Sequence, residues 1–287
     1  MNCEVCPRKC AIDRSSQKGF CGQNGKIRIS KVMFHQYEEP TISGACQDKG
    51  SGAIFFAGCN LKCVFCQNYP ISHKNKGKVI SVKKLANIFK RLEKKGALNI
   101  NLVTPTHFSN QIIKALIIYK PQIPVVWNSS GYESAETISK LRGLVDVFLV
   151  DLKYSSNELA GKYSKAPNYV ETAHSAILQM KQLQPKDVVE NGYMKKGVIV
   201  RHLILPTHTS DSIECLNWIY NNLGQNTIVS IMSQYEPRYD AINHPEINRK
   251  ITPLEYKRVI NHALNLKMNN CFTQDLSSAN SKYTPKF

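Results

Sequence analysis

The feature that most constrains the fold of this 287-residue chain is a regular alternation of apolar runs with amphipathic stretches beyond residue 50. Six apolar runs predict strands, and a stretch with helical periodicity follows each of them. Such alternation is typical of parallel strands joined by right-handed helical crossovers. We therefore predict an α/β fold, either an open doubly wound sheet or an incomplete barrel, with ligand sites at the carboxyl ends of its strands.

The predicted elements divide the chain into three parts. Strands are expected at residues 53–57, 99–103, 124–128, 145–152, 198–205 and 228–233, and helices at 81–95, 109–119, 133–142, 168–183, 210–223 and 253–267. These elements place the main domain at residues 50–268. Residues 1–34 hold four cysteines and form a small predicted metal-binding module, and residues 269–287 form a polar C-terminal tail.

The positive charge of the chain is concentrated in one segment. The chain has 38 Lys and Arg against 21 Asp and Glu, a formal net charge of +17, and residues 62–95 alone carry ten basic side chains and one acidic one. A basic surface attracts nucleic acid or an acidic protein, but lysines are also the ordinary solvated face of an amphipathic helix. Both interpretations of this segment stay open.

Composition limits the class of protein. Apolar residues make up 42% of the chain, which is enough to bury a core and excludes an intrinsically disordered protein or a small disulfide scaffold. No apolar run approaches the roughly 20 residues of a membrane span, and the N-terminus lacks the pattern of a signal peptide. We therefore expect a cytoplasmic protein without membrane contact, whose ten cysteines serve metal binding rather than disulfides.

Three cysteines stand together directly after the first predicted strand, in the run Gly58-Cys59-Asn60-Leu61-Lys62-Cys63-Val64-Phe65-Cys66. Three thiolates at this spacing can ligate three irons of a [4Fe–4S] cluster, which usually has four cysteine ligands. The fourth iron then keeps an open position, as a catalytic metal site requires. An open iron can chelate the amino and carboxylate groups of S-adenosylmethionine (SAM), and one electron then cleaves SAM to a 5′-deoxyadenosyl radical. The alternative is a zinc knuckle with Cys46 as the fourth ligand.

The motif C-x3-C-x-φ-C, with the aromatic Phe65 at φ, resembles the signature of the radical SAM superfamily. The resemblance extends to its pyruvate formate-lyase activating enzyme-like subfamily, through Arg14 and the segments 3–10, 19–22, 50–52, 66–69, 101–107 and 232–235. It implies a partial (β/α)6 barrel with a small N-terminal metal-binding extension, a [4Fe–4S] cluster on Cys59, Cys63 and Cys66, and SAM as cofactor. Phe65 is expected near the adenine of SAM, or alternatively in the core of the loop.

The resemblance also implies SAM contacts at two strand ends. Activating enzymes carry Asp-x-Lys after the fourth strand, where this chain has Asp151 and Lys153. The lysine can pair with the substrate carboxylate and the aspartate can orient it, or the two form an ion pair on their own. The third strand of activating enzymes ends in Thr-Asn-Gly, which makes Asn128 and Ser130 candidates here, although Asn128 also suits a plain turn.

Two further strand ends depart from the family pattern. Many members carry Gly-Gly-Glu after the second strand, which receives the amino group of SAM, whereas this chain has Thr104-Pro105-Thr106-His107. Thr104 or Thr106 is then the expected acceptor. Activating enzymes place a histidine near the ribose after the sixth strand, and we expect Gln234 to take that role.

The fifth predicted strand contains two adjacent polar residues, Arg201 and His202. Because side chains alternate along a strand, one of the two should point into the barrel. A buried arginine needs an anionic partner. For Arg201 that partner is either a carboxylate of the cofactor or substrate, or an internal salt bridge.

Four more thiols lie in the N-terminal segment, at Cys3, Cys6, Cys10 and Cys21. Their spacing predicts a closed tetrahedral site, which zinc and an auxiliary iron–sulfur cluster fit equally well. The site either staples the N-terminus or acts as an electron relay or docking cluster. The remaining thiols have no partner spacing and are interpreted as core or incidental residues: Cys46, Cys215 and Cys271.

The predicted function is radical SAM chemistry that abstracts hydrogen from carbon. By resemblance the substrate is a glycine of a glycyl-radical enzyme, whereas the basic segment 62–95 points to RNA, and a small metabolite is a further alternative. The basic setting of both predicted metal sites favours an acidic flavodoxin or ferredoxin as electron donor. A different class of protein, a non-enzymatic zinc protein that binds nucleic acid, would carry zinc at both cysteine groups.

Overall fold

The computed structural model describes residues 3–45, 47–280, 285 and 287, so Cys46 lies outside the described residues. Within them the strands are β1 (Ile27–His35), β2 (Ser51–Phe56), β3 (Lys78–Ile80), β4 (Ile100–Val103), β5 (Val125–Ser129), β6 (Val147–Asp151), β7 (Val188–Glu190), β8 (Tyr193–Leu203), β9 (Ile228–Met232) and β10 (Cys271–Thr273). The α-helices are α1 (Pro40–Ser43), α2 (Tyr69–Ser72), α3 (Val82–Lys94), α4 (Ser109–Ile118), α5 (Ala135–Ser139), α6 (Asn157–Ser164), α7 (Tyr169–Leu183), α8 (Thr209–Leu223) and α9 (Pro253–Asn265). Short 3₁₀ turns lie at Thr106–Phe108, Ala241–Asn243, Pro245–Ile247 and Leu276–Ser278.

The strands form one sheet in the order β10-β9-β8-β6-β5-β4-β2-β1-β3, with β7 added through β8. Along this order every neighbouring pair from β10 to β2 is parallel, whereas the added strand β7 is antiparallel to β8. In contrast, β1 is antiparallel to both of its neighbours, β2 and β3. The six predicted strands correspond to β2, β4, β5, β6, β8 and β9, so the predicted α/β fold is confirmed, and the open order of the sheet agrees with a partial barrel.

Alternation of side chains along the strands separates the helix-covered face from the interior. On β6, Phe148 and Val150 belong to the large core that the helices cover, whereas Val147 and Leu149 belong to a small separate cluster. Asp151 continues this second series and is the last residue of the strand. The interior is therefore apolar along most of β6 and polar at its carboxyl end.

The basic segment forms a core helix with a charged outer face. The Ser81 hydroxyl caps α3 by accepting a hydrogen bond from the backbone N–H of Lys84. Apolar side chains such as Leu85 and Phe89 are fully buried beneath the helix, while Lys83 and Lys84 are exposed. The amphipathic pattern is thus confirmed, and the choice between a plain solvated face and an RNA-binding face stays a prediction.

Sequence reasoning missed the short and peripheral elements β1, β3, β7, β10, α1, α2 and α6. β1 crosses the proposed boundary at residue 34 and joins the main sheet. In the predicted tail, β10 pairs with β9 and the Phe287 ring lies 5.3 Å from that of Phe55. The division into module, main domain and tail stays a prediction. In the part of the chain that the structure describes, no helix is both long and apolar enough to span a bilayer.

Candidate active site

The cysteine loop follows β2 at the carboxyl edge of the parallel strands, and each of its three sulfurs has a hydrogen-bonding neighbour. The Leu61 backbone N–H donates to Cys59 Sγ at 3.4 Å. The Ser164 hydroxyl, at the end of α6, donates to Cys63 Sγ at 3.0 Å. The Ser72 hydroxyl, at the end of α2, lies 3.1 Å from Cys66 Sγ. Hydrogen bonds to sulfur are a means by which proteins tune iron–sulfur clusters. Neither serine was found from the sequence.

The thiols of this loop are placed where an uncompensated thiolate would be unfavourable. Burial raises the pKa of Cys59 to about 12 and that of Cys66 to about 11, and the neighbouring Cys63 adds to both shifts. Bound iron supplies the positive charge that such buried thiolates need. Within residues 3–45, 47–280, 285 and 287, no three Cys, His, Asp or Glu side chains are arranged to hold one metal ion. A cubane has a separate iron for each thiolate, so a donor set of three neighbouring, partly buried thiols is chemically suited to a [4Fe–4S] cluster. The assignment of these three cysteines as its ligands stays a prediction.

A cavity of about 220 Å³ opens beside the loop. Its wall brings together residues that the sequence predicted from separate strand ends: Cys63, Phe65, Cys66, Asp151, Lys153, Arg201 and Gln234. Phe65 is buried and its ring makes an edge contact with that of Tyr235, with centroids 5.5 Å apart. The expectation that the cysteine loop and the polar strand ends share one edge is therefore met in the structure.

Asp151 is the centre of the charged wall of this cavity. Its carboxylate accepts from Lys153 Nζ at 2.7 Å and from Arg201 Nε at 2.7 Å. Burial alone would raise the pKa of Asp151, but Arg201 and Lys153 outweigh it and hold that pKa below its usual value. Burial alone would lower the pKa of Lys153, but Asp151 outweighs it and raises that pKa. Asp151, Lys153 and Arg201 are therefore all charged at neutral pH. Asp151 pairs with both cations, and all three side chains also line the cavity.

His202, the residue after Arg201 on β8, is hydrogen-bonded within the fold and does not line the cavity. His202 is fully buried, its Nδ1 lies 2.8 Å from the Leu152 carbonyl oxygen and its Nε2 lies 2.9 Å from the Ser212 hydroxyl. Burial lowers the pKa of His202, which is consistent with a neutral imidazole between these partners. Arg201 is thus the member of the pair that points into the barrel.

Sequence reasoning also missed two glutamates that follow β1. Glu38 accepts hydrogen bonds from Asn101 Nδ2 at 3.0 Å, from Asn128 Nδ2 at 3.1 Å and from Arg201 Nη1 at 3.0 Å. With Glu39 it lines a second cavity, of about 300 Å³. The only sequence signal for this site was the acidic excess of residues 35–61, which carry three acidic side chains and one basic one.

Four of the predicted SAM contacts do not line either cavity. Asn128 instead donates to Glu38 and accepts from Arg201. The Thr106 hydroxyl is buried and donates to the Glu133 carboxylate at 2.8 Å. Thr104 has a φ of +58° and its backbone N–H donates to the Asn128 carbonyl oxygen at 2.9 Å. The Ser130 carbonyl oxygen accepts from a tyrosine hydroxyl. Contact of these four residues with SAM stays a prediction.

The N-terminal segment packs directly on the cysteine loop. Arg8 Nε donates to the Asn60 carbonyl oxygen at 2.8 Å, and its guanidinium lies 3.7 Å from the centre of the Phe20 ring. Gly58 has a φ of +84°, and a Cβ at this position would lie 2.5 Å from the Cys21 carbonyl oxygen. The turn that begins the loop therefore requires glycine both for its backbone conformation and for this close approach.

The four N-terminal thiols are neighbours, with two of them buried. Burial raises the pKa of Cys6 to about 12, and Cys21, Cys10 and Cys3 add to that shift. Burial also raises the pKa of Cys21. Among the residues that the structure describes, these thiols do not form a group that could hold a metal ion. The closed metal site at the N-terminus stays a prediction.

A mostly parallel open sheet with a cysteine loop at its carboxyl edge and a charged cavity beside that loop defines a class of protein. Residues 53–216 match the model of the radical SAM superfamily, and the chain belongs to this superfamily. It is also 35% identical over 269 residues to the uncharacterized protein MJ0674 of Methanocaldococcus jannaschii, a match that covers 90% of this chain and 73% of that protein. The superfamily implies a [4Fe–4S] cluster and SAM.

Solved structures show the same fold at low sequence identity. SuiB of Streptococcus suis, solved with bound S-adenosylmethionine, is similar with a TM-score of 0.53 and 14% identity, over 76% of this chain and 48% of SuiB. Methylornithine synthase (PylB) is similar with a TM-score of 0.52 and 15% identity, over 75% of this chain and 60% of PylB. The chain thus spans about half of SuiB and three fifths of PylB.

Proposed function

We propose that this enzyme holds a [4Fe–4S] cluster on Cys59, Cys63 and Cys66, and that it uses SAM to abstract hydrogen from a carbon atom of its substrate. When bound, the cluster supplies the electron that cleaves SAM to methionine and a 5′-deoxyadenosyl radical. The observation that carries the proposal is the set of three partly buried cysteine sulfurs, each beside a hydrogen-bonding group, at the edge of a charged cavity. Membership of the superfamily argues against a non-enzymatic zinc protein.

The cavity wall offers the groups that SAM requires. Lys153 remains charged through Asp151 and can pair with the carboxylate of the methionine part of SAM. Phe65 offers an aromatic face for the adenine, and Gln234 offers an amide for the ribose hydroxyls. Asp151 fixes the position of Lys153.

The proposed electron donor is an acidic flavodoxin or ferredoxin in the cytoplasm. Lys62 Nζ donates to the carbonyl oxygen of Ser72, the last residue of α2, at 3.1 Å. Burial, together with the charges of Lys62 and Lys165, lowers the pKa of His73 to about 4. Lys74, which follows His73, is exposed. A positive surface beside the cluster would speed association with an anionic donor.

By resemblance to activating enzymes, a glycine of a glycyl-radical enzyme is the first candidate substrate. RNA is the second, and the observation that favours it is the exposed basic face of α3, formed by Lys83, Lys84, Lys90 and Arg91. Neutralising these four side chains should abolish a steeply salt-dependent binding of RNA. If RNA binds weakly and its affinity does not change with salt concentration, RNA is excluded as the substrate.

At the N-terminus we propose a second metal site on Cys3, Cys6, Cys10 and Cys21, with zinc or an auxiliary iron–sulfur cluster. Metal binding and local folding are coupled, so the ion or cluster would itself draw the four thiols together. The contacts of Arg8 and Cys21 with the cysteine loop would then make the site a support for that loop.

The proposed function is tested by electron paramagnetic resonance of protein purified and reconstituted without oxygen. The reduced protein should show a [4Fe–4S] signal that changes when SAM is added, because SAM would take the open iron. Cys63→Ala should lose the SAM-responsive signal, while Cys271→Ala, on β10, should keep it. A fully loaded cluster that does not respond to SAM would contradict the proposal.

A further inference from the structure

The second cavity adjoins the first and shares Arg201, Met232 and Gln234 with it. One of its walls is the segment Gln36–Pro40, which follows β1. His35 pairs with Ser51, the first residue of β2, so this segment starts at the opposite end of the sheet from the cysteine loop. It also lies outside the residues that match the superfamily, 53–216.

The charges at the junction of the two cavities do not balance. The Arg201 guanidinium faces three carboxylates, Asp151 at 2.7 Å, Glu38 at 3.0 Å and Glu39 at 3.8 Å. The second cation, Lys153, pairs with Asp151. With every group ionised, three negative charges meet two positive ones. One further positive charge would thus balance the ionised groups at the junction.

The unbalanced charge lies on Glu39. Both carboxylate oxygens of Glu38 accept hydrogen bonds, from Asn101 and Asn128 on one side and from Arg201 on the other. In contrast, Glu39 is only 7% exposed and its Oε2 has no hydrogen-bond partner. A buried carboxylate oxygen without a donor is costly, and a ligand that donates to it removes this cost. Burial raises the pKa of Glu39 although Arg201 lowers it, so an arriving cation would favour the ionised form.

We propose that Glu39 binds a cationic nitrogen of the substrate, an ammonium group, in the second cavity. The proposal rests on the proposed function, because it places the substrate next to the cavity in which SAM would bind. A volume of about 300 Å³ is at the lower end for small-molecule sites and suits a small amine or one Lys side chain. The Ser230 hydroxyl, in the same cavity, already hydrogen-bonds to the Glu39 carboxylate, and the side-chain oxygen of Gln274 accepts from the Ser233 backbone N–H at 3.1 Å. An RNA phosphate would be repelled here.

The test is isothermal titration calorimetry on the reconstituted protein, without reductant and without SAM. The probes are n-butylammonium chloride, with 1-butanol and butyrate as its neutral and anionic counterparts, and Nα-acetyl-lysine methylamide as a peptide-like ammonium. We expect saturable binding of at least one ammonium probe, at least tenfold tighter than that of 1-butanol, and none of butyrate. Preference for n-butylammonium identifies a free amine as the source of the cation, and preference for the lysine derivative identifies a protein side chain.

Variants connect this binding to the proposed residue. Glu39→Gln should weaken the ammonium affinity at least tenfold, whereas Glu39→Asp, which keeps the charge, should retain the preference for ammonium over alcohol. Glu214→Gln changes an exposed glutamate of α8 and should leave the affinity unaltered. The proposal is overturned if neither ammonium probe binds more tightly than 1-butanol, or if Glu39→Gln binds them as the unaltered protein does.

The ammonium titration can fail independently of the test of the proposed function. The titration requires neither reduction nor SAM, whereas the proposed function is tested by the response of the reduced cluster to SAM. A normal SAM response without ammonium selectivity would remove the cation site alone. Ammonium selectivity without a SAM response would leave Glu39 as a cation site and remove the proposed radical chemistry.

Discussion

Arg201 Nε donates to the Asp151 carboxylate at 2.7 Å, across the register pair that joins β8 to β6. The same guanidinium donates to Glu38 Oε2 at 3.0 Å and to Asn128 Oδ1 at 2.7 Å. One side chain therefore joins the segment after β1 to the ends of β5 and β6, and it lines both cavities. The arrangement of the candidate active site depends on this arginine.

We predict that Arg201→Met destabilises the fold by about 3–5 kcal/mol, because it leaves buried carboxylates without their cation. Arg249→Met is the matched control, since Arg249 pairs with Glu255 at 2.7 Å with 42% of its side chain exposed. An exposed pair contributes at most about 1 kcal/mol. Urea unfolding followed by circular dichroism measures both changes in the free energy of unfolding. Equal losses in the two variants would contradict the central position of Arg201.

A second prediction concerns the pH dependence of stability. His107 is buried with Nε2 2.8 Å from the Ala57 carbonyl oxygen, and burial lowers its pKa from 6.5 to about 3. As pH falls below about 6.5, the imidazole of His107 binds a proton in the unfolded chain but not in the folded chain. This difference lowers the free energy of unfolding by about 1.4 kcal/mol per pH unit. The loss ends where the folded imidazole protonates, near pH 3.

His107→Gln keeps a donor that can reach Ala57 and removes the titration. Its free energy of unfolding, measured in urea between pH 7 and pH 5, should therefore decline less steeply than that of the unaltered protein, by about 1.4 kcal/mol per pH unit below the unfolded pKa. Other buried histidines contribute equally to both proteins. Parallel pH profiles would show that His107 does not titrate in this way.

A third prediction separates the two interpretations of the basic charge. One variant neutralises lysines around the cysteine loop, and the matched variant neutralises lysines on the outer face of α3: Lys62→Gln, Lys74→Gln and Lys165→Gln in the first, and Lys83→Gln, Lys84→Gln and Lys90→Gln in the second. The first set should slow cluster reduction by a flavodoxin about tenfold at low salt, and the second set should have little effect. The rates are measured by stopped-flow absorbance. An unchanged rate in the first variant would count against an acidic donor.

The fourth prediction concerns the N-terminal cysteines. Cys6→Ser and Cys21→Ser should remove one zinc ion, or the iron and sulfide of one cluster, per chain, while the SAM-responsive signal of the loop persists. Elemental analysis and sulfide assay measure the loss, and Cys271→Ala is the control because its thiol belongs to neither group. Identical metal content in all of these proteins would exclude the second site.

The parts of the fold that could be predicted are those in which local pattern and burial agree. Residues 53–57 and 147–150 read as strands because parallel strands are covered on both faces and are therefore continuously apolar. β1 was missed although Ile27 and Ile29 alternate with polar residues and are buried. The alternation that indicates a half-buried strand ends within β1, because Val32, Met33 and Phe34 are apolar in succession.

The candidate site was predictable where a motif lies on consecutive residues and not where the fold brings distant segments together. The cysteine motif and the Asp151–Lys153 pair are local. Glu38 contacts a guanidinium that lies 163 positions further along the chain, so no pattern in the sequence connects the two. Thr106 was expected at the cavity, but its hydroxyl faces the Glu133 carboxylate that follows β5.

The most direct test of the central claim is the release of 5′-deoxyadenosine from SAM by the reconstituted and reduced protein. The account predicts release by the unaltered protein and by Cys271→Ala, and none from Cys59→Ala, Cys63→Ala or Cys66→Ala. Liquid chromatography with mass detection quantifies the product against the cluster content. A protein with an intact, reduced cluster that releases no 5′-deoxyadenosine, or release that persists in all three cysteine variants, would contradict it.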